Sequence, residues 1–216
     1  KKRALSKWNM VCRLCKNKMQ GCKGIKAKNR CRWVWIKLLE SLDFYILDLI
    51  QNLRCPFLDF LIPRVTALGN GGMIWILTSL IMCINKKYRK TGITVLAALL
   101  AGFIICNIII KPLAARPRPC WIDTSVPILI NVPSDYSFPS GHTLSSFIAA
   151  FVLLFSGNRF RYAAVVLASL IAFSRLYLYV HFPSDVLGGI FLAALISYVV
   201  LGVSNKRFRI RKNNKK

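Results

Sequence analysis

The stretch TGITVLAALLAGFIICNIII, residues 91–110, runs for 20 residues without a charge and stops on Lys111. About 20 consecutive apolar residues are what an α-helix needs to span the hydrocarbon of a bilayer. Immediately before it, VTALGNGGMIWILTSLIMCIN, residues 65–85, is uncharged for 21. Working outward, further apolar stretches cover 143–155, 162–179 (interrupted by Arg175) and 186–203. The chain is 55% apolar over its 216 residues, with a mean hydropathy of +0.47. A soluble domain of that size does not carry this much apolar sequence in such blocks. The expected fold is all-α: a polytopic transmembrane helical bundle with five clear spans.

A sixth helix is less regular. Over residues 33–54, Lys37, Glu40, Ser41, Asp48, Gln51 and Asn52 fall near one helical face, with Trp33, Trp35 and aliphatic residues on the other. That pattern fits an amphipathic helix lying in the membrane interface, or a sixth crossing. Asp43 fits neither the polar stripe nor a span.

The net charge of +25 raises the question of nucleic acid. Its distribution answers it. Residues 1–32 hold 12 Lys or Arg and no acid, and residues 204–216 hold seven more. Basic ends beside membrane spans act as cytoplasmic retention signals and meet anionic headgroups, and no nucleic-acid-binding motif accompanies them. The expected organisation is a disordered basic cytoplasmic tail (1–32), the amphipathic segment (33–54), a membrane-embedded domain (55–203) and a second basic cytoplasmic tail (204–216). No cleavable signal peptide is apparent, and a first residue of Lys rather than Met leaves the true start open. Lys86, Lys87, Arg89 and Lys90, then Arg159 and Arg161, then the C-terminal tail all fall on one side if 65–203 crosses five times. The segments 111–142 and 181–185 then share the extracytoplasmic face. A basic N-terminus on the cytoplasmic side requires the sixth crossing.

Of eight cysteines, Cys83 and Cys106 lie in apolar spans as small hydrophobes. Cys12, Cys15, Cys22 and Cys31 have spacings that match no regular zinc finger and read as free cytosolic thiols. Cys120 has no evident partner.

Three polar clusters fall on the shared face. Lys111-Pro-Leu-Ala-Ala-Arg116-Pro-Arg118-Pro119 ends the second span, and its prolines favour an extended chain in which Arg116 and Arg118 point the same way. One such cation would be headgroup snorkelling; three together make an oxyanion site. Phe138-Pro139-Ser140-Gly141-His142 precedes an apolar helix: Ser140 is an N-cap, and the free amides that follow form a phosphate seat beside a proton donor, His142. Ser174-Arg175-x5-His181-x3-Asp185 places a charge inside an apolar span, where charges are costly and functional. Asp185 in a first helical turn suits the helix dipole; it also suits a carboxylate that fixes one tautomer of His181.

The three clusters, Lys-x6-Arg-Pro, Pro-Ser-Gly-His and Ser-Arg-x5-His-x3-Asp, resemble the type 2 phosphatidic acid phosphatase superfamily, which shares its site with vanadium haloperoxidases. The resemblance covers about residues 55–203. It implies a membrane lipid phosphate or diphosphate phosphatase without metal or other cofactor. His181 is then the nucleophile, Asp185 its orienting partner and His142 the general acid and base. Lys111, Arg118, Ser140, Gly141 and Arg175 bind the phosphate. Arg116 lies outside the pattern and is a candidate for a second phosphate. Undecaprenyl diphosphate, phosphatidylglycerol phosphate and phosphatidic acid are the substrates such a site would meet in the bilayer. Transfer to an acceptor other than water, or a non-catalytic transporter, are the competing readings; halide oxidation suits soluble relatives, not a lipid-embedded chain. The loop bearing Trp121 and Tyr136 is placed to shape substrate choice, and Gly188-Gly189 permits close helix packing within or between chains.

Overall fold

A computed structural model describes the backbone of residues 25–213 and the side chains of 37–204. Every regular element among them is helical. Helix α1 is Ile25–Gln51 and α2 is Pro56–Leu68; a short 3₁₀ turn, Asn70–Gly72, leads into α3, Met73–Ile84. Helix α4, Arg89–Phe103, continues through a π-helical stretch, Ile104–Ile110, to the four-residue α5, Lys111–Ala114. After α6, Pro119–Ile122, a long loop leads to α7, Gly141–Phe155, then α8, Arg161–Tyr177, and α9, Pro183–Asn213.

The first expected span does not form as one straight helix. Gly69-Asn70-Gly71-Gly72 interrupts it: Gly71 and Gly72 adopt φ of +58° and +69°, open to glycine without strain, and the helices on either side bend by 42°. By length and composition, among the described residues only the α4–α6 run Arg89–Ile122 and Pro183–Ser204 are long and apolar enough to cross a bilayer, with the bent α2–α3 pair as a third if it counts as one span. Helix α7 has 15 residues and α8 has 17, about 22–26 Å at 1.5 Å per residue. Both stop short because one end of each is given over to polar loops. Helix α1 begins at Ile25, inside the segment read as basic tail, and α9 runs on to Asn213, past residue 204. Cys12, Cys15 and Cys22, and the side chain of Cys31, lie outside the described residues.

Helix α7 is the hub, packed against α8, α9 and α4. Leu144, Ile148, Ala149, Val152 and Leu153 are buried along it, and Trp75 of α3 donates to Ser146 Oγ at 3.0 Å. The outer faces stay apolar: Leu113, Leu187, Phe191 and Tyr198 are each at least 66% exposed. So large an exposed apolar surface requires a non-aqueous environment.

Gly188 and Gly189 serve packing within the chain. A Cβ on Gly188 would lie 2.5 Å from Phe138 Cε2, and one on Gly189 3.1 Å from the Ser140 carbonyl. Together they seat α9 against the loop that opens α7. At the other end of the bundle, Thr94 Oγ1 lies 3.0 Å from Ser204 Oγ, bringing the start of α4 beside the basic end of α9. Lys111, Gly141, Arg175 and Asp185 all belong to the opposite end.

Candidate active site

Each polar cluster gains its place from the way a helix stops or starts. Helix α8 ends in a Schellman motif: the Val180 amide donates to Arg175 O (3.2 Å), the Tyr179 amide to Leu176 O (3.0 Å), and Tyr179 takes φ +59°. A non-glycine residue there is strained, and burial of Tyr179 holds it. The reversal delivers His181 into the bundle, where only 1% of it is exposed. Pro183 then opens α9, and Phe182 N–H donates to Asp185 Oδ2 at 2.8 Å.

At α7, Ser140 caps the helix, its Oγ accepting from Thr143 N–H (3.5 Å) and Thr143 Oγ1 (3.0 Å). The Phe138–Pro139 peptide that precedes it is cis. The first amides of α7 have no helical acceptor; Gly141 lines the same cavity as Lys111, and a Cβ on it would approach Lys111 Nζ at 3.7 Å.

Lys111, Arg118, Arg175, Gly141, His142 and His181 line one cavity of about 640 Å³, with Thr66, Asn70 and Asp135. Arg175 is 3% exposed; its Nη1 donates to Thr66 Oγ1 at 2.7 Å, and its Nε is buried with no acceptor. A buried guanidinium donor without a partner is what an anion would satisfy. Arg118 donates Nη1 to Val180 O at 2.8 Å and to His181 Nε2 at 3.0 Å. Arginine has no acceptor, so His181 Nε2 carries the lone pair and Nδ1 the proton. Burial lowers the His181 pKa to about 3; Asp185 opposes the shift and Arg118 and Arg175 add to it. At neutral pH the ring is neutral, with its Nε2 lone pair accepting from Arg118, one of the cations lining the cavity.

His181 Nδ1 lies 3.7 Å from Asp185 Oδ2, longer than a direct hydrogen bond. Ser137 Oγ stands beside both, donating to Asp185 at 2.5 Å and lying 3.4 Å from Nδ1. His142 Nε2 pairs with Asn70 Oδ1 at 2.9 Å.

Asp135 was not anticipated. Its carboxylate bridges Lys111 Nζ and Arg118 Nη2, the latter at 2.6 Å. Burial alone would raise its pKa, but the Lys111 hydrogen bond and the charges of Arg118 and Lys111 outweigh it and bring it to about 2. Ser137, Asn70 and Thr66 were also missed. Only Asn70 had a local signal, as the polar member of a Gly-Asn-Gly-Gly break.

Arg116 is placed elsewhere than expected. It does not line the cavity. Nη1 donates to Asp185 Oδ1 (2.6 Å) and Ser184 Oγ (2.7 Å), Nη2 donates to Asp43 Oδ2 (2.7 Å), and the guanidinium covers the Phe182 ring at 4.1 Å. Ala115, at φ +43°, twists the chain so that Arg116 and Arg118 reach opposite sides of the His181–Asp185 pair. A second-phosphate role does not fit that position. Cys120 is a buried free thiol.

A second cavity of about 480 Å³ shares Lys111, Asp135, Gly141 and His142 with the first and continues between α3, α4 and α7 past Ile76, Leu96, Leu100 and Phe103. A cavity lined by three cations and two histidines, adjoining an apolar one, fits a membrane-embedded phosphate-ester hydrolase. The PAP2 superfamily model matches residues 91–209. Among similar proteins, the undecaprenyl-diphosphatase of Sulfolobus acidocaldarius is 31% identical across 80% of this chain and 85% of its own length. The phosphatidylglycerophosphatase B of Bacillus subtilis is 32% identical across 80% and 88%. The crystal structure of a transmembrane PAP2-type phosphatidylglycerolphosphate phosphatase from Bacillus subtilis superposes with a TM-score of 0.64 at 28% identity, covering 78% of this chain and 87% of that one. The chain belongs to the PAP2 superfamily.

Proposed function

We propose that the chain hydrolyses a lipid phosphate or diphosphate through a phosphohistidine, with no metal. The observation that carries this is the convergence on one cavity of Lys111, Arg118, Arg175 with its unpartnered Nε, Gly141 and His181, whose Nε2 accepts from Arg118 until a phosphate takes over that donor. Nε2 attacks phosphorus in line, forming an N–P bond as the bond to the lipid oxygen breaks. His142 gives that oxygen a proton. It then takes one from water, whose oxygen displaces Nε2 and releases inorganic phosphate. A phosphate dianion beside His142 raises its proton affinity, favouring the imidazolium the first step needs. Asp185 stabilises the proton on Nδ1, while the three cations and the amides hold the equatorial oxygens where charge builds.

The adjoining apolar channel favours a substrate whose leaving group stays in lipid. The names of the relatives point to a polyprenyl diphosphate or phosphatidylglycerophosphate. We infer six crossings, by α1, the bent α2–α3 pair, α4, α7, α8 and α9. Gln51 Nε2 donates to Tyr177 O at 3.1 Å, which puts the end of α1 at the site end; a helix of 27 residues, about 40 Å, reaches the basic end. The site then faces away from the cytoplasm, because Lys86, Lys87, Arg89, Lys90, Arg159 and Arg161 lie at the opposite helix ends. Residues 55–203 would form the catalytic unit between basic tails.

The test is phosphate release by detergent-purified protein in EDTA from a panel of lipid phosphates, beside His181→Ala. Release that persists in EDTA, is inhibited by vanadate and is lost in the variant is expected. A requirement for divalent metal, or activity without His181, would overturn the mechanism.

A further inference from the structure

Asp43 is an acid on α1, outside the residues matched by the family model, yet it is 4% exposed. Its Oδ1 accepts from the Ser184 amide at 3.0 Å, and its Oδ2 accepts from Ser184 Oγ (2.5 Å) and Arg116 Nη2 (2.7 Å). The other end of the same guanidinium donates to Asp185 Oδ1 at 2.6 Å. Arg116 therefore straddles two buried carboxylates, one of which faces the nucleophile.

That matters because Asp185 acts on His181 through its negative charge. A full guanidinium charge on Oδ1, in a site this dry, would cancel much of the field Asp185 exerts on the Nδ1 proton. Asp43 supplies the opposing charge and draws Arg116 back. It also fixes Ser184, and so the first turn of α9 from which Asp185 projects. His181 is faced by Arg118, Arg175 and Asp185; Asp185 by Arg116 and His181; Asp43 by Arg116. Lys111, Asp135 and His142 line the cavity with His181.

We propose that Asp43 is a positioning residue for this reaction: through Arg116 it sets the orientation and effective charge of Asp185, and thereby how strongly Asp185 holds the Nδ1 proton and how basic His181 is. The catalytic half of this statement rests on the phosphatase reading above; the coupling from Asp43 to His181 does not.

The chain has two histidines, so ¹⁵N-histidine labelling of full-length protein, purified without a histidine tag, gives two ring systems, assigned with His142→Ala. In wild type, the His181 ring is expected to carry its proton on Nδ1. Asp43→Asn is expected to shift the Nδ1 signal, as the unopposed guanidinium weakens the hold of Asp185 on that proton, and to lower kcat on dioctanoyl phosphatidic acid about 10- to 100-fold, with KM within about twofold. Asp43→Glu keeps the charge and should retain the wild-type Nδ1 signal and most of kcat. In Asp43→Asn/Arg116→Met, the uncompensated guanidinium is gone, and at least a tenfold recovery over Asp43→Asn is expected.

A His181 spectrum and kcat unchanged in Asp43→Asn would overturn the proposal. So would a loss of activity with the spectrum unchanged and no recovery in the double variant, which is the signature of a merely structural role. If Asp43→Asn does not fold, Arg116→Met alone decides: removing the guanidinium should shift the Nδ1 signal, and an unshifted signal rejects the coupling. Should wild type cleave no lipid phosphate, the phosphatase reading falls while the spectra still test the coupling.

Discussion

Replacing Asp135 by Asn removes an anion from the cavity proposed to hold the substrate phosphate. In the resting site its carboxylate bridges Lys111 and Arg118, so any phosphate that binds has first to displace it. Its pKa falls from 3.8 to about 2, a measure of how strongly the two cations hold the ionised form. Taken at face value the shift is worth about 2.4 kcal/mol. The side chain is 51% exposed, and solvent screening reduces that to about 1 kcal/mol. Relieved of that competition, Asp135→Asn should bind inorganic phosphate about fivefold more tightly. The sign with pH is fixed by the same numbers. A lowered carboxyl pKa means the ion pairs are complete above about 3.8 and lost only as pH falls through about 2, so competition is at full strength between pH 6 and 7. The assay is the Ki of inorganic phosphate against hydrolysis of dioctanoyl phosphatidic acid at pH 6.5, at low and high salt. The difference between wild type and variant should shrink as salt screens the pairs. A Ki that is unchanged, or weaker in Asp135→Asn, would show that the carboxylate orients Lys111 and Arg118 for the phosphate instead of competing with it.

Two further expectations follow from the same geometry. If His142 protonates the leaving oxygen, His142→Ala should lose about 100-fold or more on an alkyl phosphate, and far less on p-nitrophenyl phosphate, whose leaving group needs no proton; equal losses on both would remove His142 from that role. Gly188→Ala drives a Cβ to within 2.5 Å of the Phe138 ring. It should cost about 1–3 kcal/mol of stability by overpacking, read as a lower unfolding midpoint, while Gly202→Ala, with open space around it, should leave the midpoint unchanged.

What sequence revealed here, and what it did not, divides along a physical line. Lys111, Ser140, Gly141, Arg175, His181 and Asp185 were legible because each sits where an apolar helix starts or stops, and a polar group at that boundary stands out against its neighbours. Their meeting was legible too, since alternate helix ends must share a face. Thr66 and Asn70 lie inside an uncharged run, where a hydroxyl or amide disturbs neither hydropathy nor period. They enter the site through contacts 109 and 72 residues distant in sequence, with Arg175 and His142. The count of crossings was harder for a related reason. A glycine-rich break leaves hydropathy almost untouched while bending the helix, so composition reads residues 65–85 as one span where the backbone makes a corner.

Arg116 and Asp43 show the limit most clearly. Alternation along an extended chain puts residues two apart on one side, and that rule placed Arg116 with Arg118. It fails because Ala115 leaves the α5 turn in a left-handed conformation, and Arg116 leads off from that turn while Arg118 caps the next helix. The guanidinium that looked like a ligand for a second phosphate instead lies behind Asp185, and its charge there demands a counter-charge. Asp43 supplies it. The acid that fitted neither face of an amphipathic helix was the mark of that demand: a carboxylate among apolar neighbours persists when a buried cation answers it, and here the cation touches the carboxylate beside His181.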